Sequence, residues 1–306
     1  MVKDWREDYN AKLCSASEAA QRIKSGDSIF NAGCTAIPFD FTEALAGRKD
    51  QLQGIDYYAC LSTYPLRIVD GQFQGHINYH TIFTGAYERL KAPEANINQL
   101  SVHLAETDRY VKERVRPNAL AVNVSPPDAH GWMTFGPLGG MALHTAKELA
   151  DTVIATVQPS QPRVPGEFND IRVSEVDAII DTDVPISTPP SAPPTESEKQ
   201  IASQVVPLVE DGSTIQIGIG SVPGAVASQL AGKKHLGVRT EMVRIHQHLP
   251  DGVDHRPGGG RSHQLGADLR NGRPAGPTRI SIPGTPRSTA FARWKPPRRA
   301  TRCWMP

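Results

Sequence analysis

Residues 15–62 read SASEAAQRIKSGDSIFNAGCTAIPFDFTEALAGRKDQLQGIDYYACLS, and this stretch decides the fold. SASEAAQRIKSG predicts a helix with Ser15 or Ser17 as N-cap, Glu18 near the first turn and Gly26 as the stop. DSIFNAG predicts a short strand running into a turn, FDFTEALAGRKDQL a second helix, and IDYYACLS a second strand. Alternation of helix and strand is the signature of an α/β sheet.

The alternation continues downstream. NALAVNVSPPDAHGWMTFG reads as a strand, a Pro/Gly loop and a strand; GMALHTAKELA as a helix; DTVIATVQ as a buried strand; VDAIID as another strand. The first domain is expected to span residues 1–183. Residues 184–197, VPISTPPSAPPTES, hold five prolines and read as an extended linker. EKQIASQVVPLVEDG then predicts a helix with Ile201, Val205 and Leu208 on one apolar side. STIQIGIG is a strand ending in glycines, VPGAVASQLAGKK a helix and LGVRTEM a strand. One strand–helix–strand unit does not bury its own sheet, so residues 198–242 read as the start of a second domain.

The 306 residues suggest about two domains, at roughly 150 residues each. Apolar residues other than glycine are 39%, and proline is about 8% against about 5% on average. The net charge of +1 hides a division. Residues 243–306 hold twelve basic and three acidic side chains, about +9, and the preceding 242 residues carry about −8. No Glu follows Glu241, and nine of the 26 prolines lie in 243–306. That segment has no sustained apolar period and reads as disordered.

Cys14, Cys34, Cys60 and Cys303 are widely spaced and give no support to a zinc site or disulfide framework. The N-terminus is charged and lacks the apolar run of a secretory signal, and no window approaches ~18 consecutive apolar residues. The expectation is a cytoplasmic protein without a membrane partner. No metal site is expected: His246-x-His248 is a weak pattern, better explained by the bias of its segment.

IQIGIGSVPGAVASQL, residues 215–230, is the strongest local signal. Gly218 and Gly220 end a strand before a helix, where bare backbone lets an anionic group such as a pyrophosphate approach. The pattern departs from the dinucleotide fingerprint because Pro223 stands at the last glycine position, and a tight turn alone explains the glycines equally well. Glu241 follows at the end of a strand, where α/β sheets place their ligands; it reads as a nucleophile or base, or as a solvated loop residue beside Arg239. Asp128 and His130 read as an acid/base pair or, more simply, as an Asx-type turn. In FTGAYERL (83–90), Gly85 and Arg89 read as contacts to an anionic group, or Arg89 as a partner of Glu88 or the surface.

In their order, SASEAAQRIKSGDSI, FTGAYER, SPPDAHGWMTFG, ADTVIATVQPSQPRVPG, VDAIIDTDVPI, DGSTIQIGIGSVPGAVASQL and LGVRTEM resemble the acetyl-CoA hydrolase/transferase family, within it the 4-hydroxybutyrate CoA-transferase-like members. The resemblance covers about Trp5 to Met242. It implies two similar open-sheet α/β domains, the second incomplete here, with the active site between them. It implies ping-pong transfer of CoA between carboxylic acids through a glutamyl-CoA thioester, with acetyl-CoA as donor and a short acid such as 4-hydroxybutyrate or acetate as acceptor. Coenzyme A is then a substrate, and no tightly bound cofactor is expected.

The family's usual His-Thr-Glu-Met reads Arg239-Thr240-Glu241-Met242, which makes Glu241 the implied nucleophile. The Arg239 cation beside it would favour the ionised carboxylate. The family's CoA-approaching loop maps onto Gln216, Gly218, Ile219 and Gly220, with Val222 and Pro223 beginning the helix. Phe83 and Gly85 fall on the acyl side. A homo-oligomer is a family expectation.

By the same resemblance, family sequence continues for more than a hundred residues beyond this glutamate. Here the pattern is lost after Met242. The expectation is a reading-frame shift near that codon and a chain that is inactive or nearly so and prone to aggregate. Alternatives are an acetyl-CoA hydrolase, a non-catalytic CoA-binding remnant, or a nucleic-acid binder acting through the basic segment. The last is disfavoured by the acidic first 242 residues.

Overall fold

The computed structural model describes residues 4–91, 95–187 and 193–238. The chain divides into two compact units, Met1–Pro190 and Ser191–Pro306.

The first unit is built on seven strands: β1 Ser28–Phe30, β2 Ile55–Ala59, β3 Ile77–Thr81, β4 Ile97–Gln99, β5 Ala119–Val124, β7 Thr152–Val157 and β9 Ala178–Asp181. They pair in parallel in the order β4-β3-β2-β1-β5-β7-β9. The order reverses between β1 and β5, and such a reversal opens a crevice at the carboxyl ends of the two strands. Two short strands, β6 Trp132–Thr134 and β8 Asp170–Arg172, form a separate antiparallel pair.

Sequence explains which strands are central. ALAVNV of β5 is buried at every position, and TVIATV of β7 at every position but its first. Continuous apolar runs of this kind belong to parallel strands covered on both faces. Their side chains alternate between two cores. Ile29, Ala119, Ala121, Ile154, Ala178 and Ile180 join one core, together with Ala19, Ala20, Phe41 and Leu45. Phe30, Leu120, Val122, Val124, Ala155 and Ile179 join the other, with Leu143 and Ala146. The covering helices on the first face are α2 Ala16–Ala20 and α3 Phe39–Ala46; α6 Leu143–Leu149 lies on the second. Three further helices complete the unit, α1 Trp5–Lys12, α4 Ala86–Lys91 and α5 Thr107–Tyr110, the last running into a π-helical turn at Val111–Val115.

Two helix expectations change here. Helix α2 begins as predicted, with Ser15 rather than Ser17 as the cap: its hydroxyl accepts from Glu18 N, and Glu18 Oε2 accepts from Ser15 N at 2.8 Å. It ends at Ala20, well before Gly26. The amides of Arg22 and Ile23 tighten onto the carbonyls of Ala19 and Ala20, and the Arg48 guanidinium takes the carbonyls of Ala20 and Ile23. Helix α1 has no counterpart in the sequence expectation, because WREDYNAK has no apolar stripe. It is held instead by polar bonds: Trp5 Nε1 donates to Ala129 O at 3.1 Å, Tyr9 Oη to Asp181 and Lys12 Nζ to Val173 O at 2.9 Å.

In the second unit, α7 Glu196–Val205 and α8 Ser221–Gln229 pack together beside a parallel pair, β10 Thr214–Ile215 and β11 Gly237–Val238. Thr195 caps α7 through a reciprocal box with Glu198. The helix α7 is shorter than predicted. Ala202 is buried, but Ile201, Val205 and Leu208 are exposed among the described residues. Pro207 ends the α-helix, and Leu208 falls in a 3-10 turn, out of register with Ile201. The predicted linker lies partly outside the described residues, and residues 243–306 lie wholly outside them.

Candidate active site

At the carboxyl ends of β1, β2 and β3, three turns are bound to one another. Cys34 N donates to the carbonyls of Cys60 and Leu61, each at 3.2 Å, and Leu61 N donates to Phe83 O at 3.0 Å. The contact is tight enough to dictate a residue type. Gly33 has φ +81°, and a Cβ there would stand 1.6 Å from Cys60 O. Cys34 and Leu61 also have positive φ, both 46°, an uncommon conformation for a side-chain-bearing residue. Beneath these turns lies an enclosed space of about 10 Å³, bordered by Phe30, Tyr58, Cys60 and Tyr110. Such a volume holds about one water.

Two of the side chains in this layer are thiols. Burial pushes Cys34 up to about 11, with the Glu88 carboxylate adding to it, and burial with Cys34 and Glu88 pushes Cys60 up to about 12. Both remain protonated at neutral pH, and the thiol is a poor nucleophile. Cysteine chemistry is therefore not what this edge offers. On the other side of the reversal, an open groove of about 610 Å³ runs past Tyr9, Pro126, Pro127 and Asp181 at the ends of β5, β7 and β9.

The glycine turn of the second unit runs from β10 to α8. Gly220 has φ +145° and caps α8, whose first bond is Gly224 N to Gly220 O at 3.1 Å. Pro223 sits in the first turn, where its missing N–H costs nothing. Gly218 is different. It is exposed, and among the described residues a Cβ there would meet only Pro223 Cγ at 4.0 Å. Packing among the described residues thus does not call for a glycine at 218. Gln216 and Ile219 are exposed too, and Val222 and Pro223 half-buried. Ser221, which sequence reasoning passed over, places its hydroxyl on Glu198; that bond, then those from Thr195, lowers the Glu198 pKa.

The remaining candidates divide. Asp128 makes the Asx-type turn. Its Oδ1 accepts from His130 N and Trp132 N, both at 2.9 Å, and its Oδ2 pairs with Arg163 at 2.9 Å. The His130 ring acts on Asp128 only through its charge, the last of the causes that lower the carboxyl. Gly131, at φ +79°, lies under Trp5, whose Cγ would be 2.7 Å from an added Cβ. Arg89 donates to Thr84 O at 2.7 Å and does not pair with Glu88. Glu88 is fully buried and accepts from Ser62 N at 2.7 Å, Gly85 N at 2.9 Å and Tyr79 Oη at 3.1 Å. Nothing local in GAYERL announces that burial, since glutamate is among the residues least often buried. Arg239, Glu241 and the His246-x-His248 pair lie outside the described residues. No helix among the described residues is long and apolar enough to cross a membrane.

A wholly parallel sheet with a strand-order reversal and ligand-ready carboxyl ends defines an α/β protein of the open-sheet class. Comparison narrows this. The family profile of the acetyl-CoA hydrolase/transferase N-terminal domain matches residues 1–188, and the chain belongs to that family. It is 30% identical over 241 residues to the 4-hydroxybutyrate coenzyme A transferase of Clostridium kluyveri, covering 78% of this chain and 56% of that protein. It is 31% identical over 248 residues to the butyryl-CoA:acetate CoA-transferase of Anaerostipes caccae, 78% of this chain and 55% of that one. The crystal structure of RipA from Yersinia pestis superposes with a TM-score of 0.71 at 27% identity, over 78% of this chain and 57% of that one. The chain spans a little more than half the length of these relatives.

Proposed function

We propose that this chain carries the machinery of an acyl-CoA:carboxylate CoA-transferase, with Glu241 as nucleophile. The Glu241 carboxylate attacks the acyl-CoA carbonyl and expels CoA thiolate, forming an acyl–glutamyl anhydride. The thiolate attacks the glutamyl carbonyl, releasing the donor acid and leaving a glutamyl-CoA thioester. An acceptor carboxylate attacks that thioester and displaces the thiolate, which then takes the new acyl group and frees Glu241. Covalent catalysis divides one difficult exchange into easier steps. The turn carrying Gln216, Gly218, Ile219 and Gly220, with Val222 and Pro223, is assigned to CoA. Short acids with acetyl-CoA as donor are what the resemblance implies, and the names of two relatives, with 4-hydroxybutyrate, butyryl-CoA and acetate, support short acyl groups.

The observation that carries this reading is Gly218: an exposed glycine that packing among the described residues does not demand, two residues before the cap of α8. Turnover by the 306-residue chain is expected to be low, because residues 243–306 do not continue the family pattern. The test is therefore a single-turnover one. The chain is incubated with acetyl-CoA, and peptides containing Glu241 are weighed for a CoA adduct that borohydride reduces to an alcohol. The wild-type chain is expected to form it and Glu241→Ala to lack it. An intact wild-type chain that binds acetyl-CoA without forming the adduct overturns the assignment. Release of free CoA without transfer to an added acid would mark a hydrolase.

A further inference from the structure

The proposed mechanism leaves one fully buried carboxylate without a task. Glu88 lies on α4, beneath the turns that follow β2 and β3. We propose that Glu88 is a positioning residue for the acyl half of the site, fixing those turns so that Leu61 and Phe83 present one defined apolar surface to the acyl group. This rests on the transferase reading.

The geometry is convergent. One oxygen, Oε1, accepts from Ser62 N of the β2 turn and from Tyr79 Oη of β3; the other, Oε2, accepts from Gly85 N of the β3 turn. The turns are also joined directly through Leu61 N and Phe83 O. The Leu61 side chain lies across Gly85, with Cδ1 2.5 Å from where a Cβ would be, so no larger residue fits at 85 without moving it. Phe83 is 55% exposed at the rim of this layer. From outside, Arg89 closes on the same turn through Thr84 O.

The site calls for a carboxylate. Three donors point inward and all require acceptors. A carboxylate offers two acceptor oxygens; glutamine offers one and would turn its NH₂ toward an N–H. Burying a charge is tolerated only when hydrogen bonds of this kind satisfy it. The charge reaches its neighbours as well: after burial, Glu88 is the main cause holding the Tyr79 phenol well above its ordinary value.

The test compares the full chain with Glu88→Gln and Phe83→Ala. Hydrogen exchange is followed at residues 60–64 and 82–87, with β5 and β7 as internal reference, and calorimetry measures affinity for butyryl-CoA and for free CoA. Glu88→Gln is expected to speed exchange of the Ser62 and Gly85 amides by about tenfold or more and to leave the reference strands protected. It should weaken butyryl-CoA by roughly fivefold relative to free CoA, the scale of losing part of one apolar contact. Phe83→Ala, at an exposed position, should lose the same preference without loosening the amides. Unchanged exchange in Glu88→Gln overturns the proposal whatever the ligands do. So does an equal loss of both affinities together with a lower melting temperature, which a merely structural role would give. A wild-type chain that binds neither ligand overturns the transferase reading and the acyl assignment with it, while the exchange arm still shows whether Glu88 fixes the turns.

Discussion

Gly33 concentrates the geometry of the first unit into one absent methyl group. Its backbone is left-handed, and the Cys60 carbonyl occupies the place of its Cβ. An alanine there would combine left-handed strain of ~1–2 kcal/mol with a displacement of the end of β2. Gly33→Ala is expected to cost about 3 kcal/mol or more. At ~2–4 °C per kcal/mol for a unit of this size, thermal unfolding should fall by roughly 6–12 °C. A melting temperature within a degree or two of wild type would show that β2 gives way easily. Single residues also mark the limit of sequence reading. Asp128 was legible as a turn because its partners are His130 and Trp132, two and four positions away. Glu88 was not, because one of its partners, Ser62, lies 26 residues back, and burial is a property of the folded sheet rather than of GAYERL. Glu241 was legible only through resemblance.

At the scale of elements, the alternation of strand and helix was readable because each segment states its own period and punctuation. Lengths were less so. Ser15 and Ser17 both fit the cap of α2, and the structure chooses Ser15. Ser15→Ala should cost about 1 kcal/mol, and Ser17→Ala much less, since only Ser15 closes the box with Glu18. Urea melts of the two variants decide it, and equal midpoints would show that the cap contributes little. The end of α2 was not readable because Arg48, which takes its carbonyls, lies beyond the next strand. In the second unit, Pro207 was in plain view, yet Leu208 was placed on the helix face by spacing alone. The proline breaks the helix that the spacing assumed.

For the whole molecule, the α/β class follows from alternation, while the order β4-β3-β2-β1-β5-β7-β9 does not. Each buried run would sit as well beside several neighbours. The fold's polar anchors predict its response to acid. Partial burial raises Asp128, but the amides of Trp132 and His130, then Arg163, outweigh it and bring its pKa below the usual 3.8. A carboxylate depressed in the folded state stabilises above its unfolded value and loses that contribution as the pH falls through the folded one. Asp128→Asn should thus be less stable than wild type near neutrality, and the gap should close below about pH 4. Denaturant midpoints measured from pH 7 to 2 test this, and a gap independent of pH would mean that the charge of Asp128 contributes nothing.

The first helix and the last strand of the sheet are bound to each other. Cys14 N donates to Ile179 O at 2.9 Å, and Tyr9 meets Asp181. During synthesis, residues 5–14 are therefore made well before one of the elements they bind. Until β9 is made, Tyr9 and Cys14 lack these two partners, and the sheet's last position has no strand. The two ends of the unit are thus joined only once β9 is in place, and a protease acting before that would meet residues 5–14 with part of their anchoring missing.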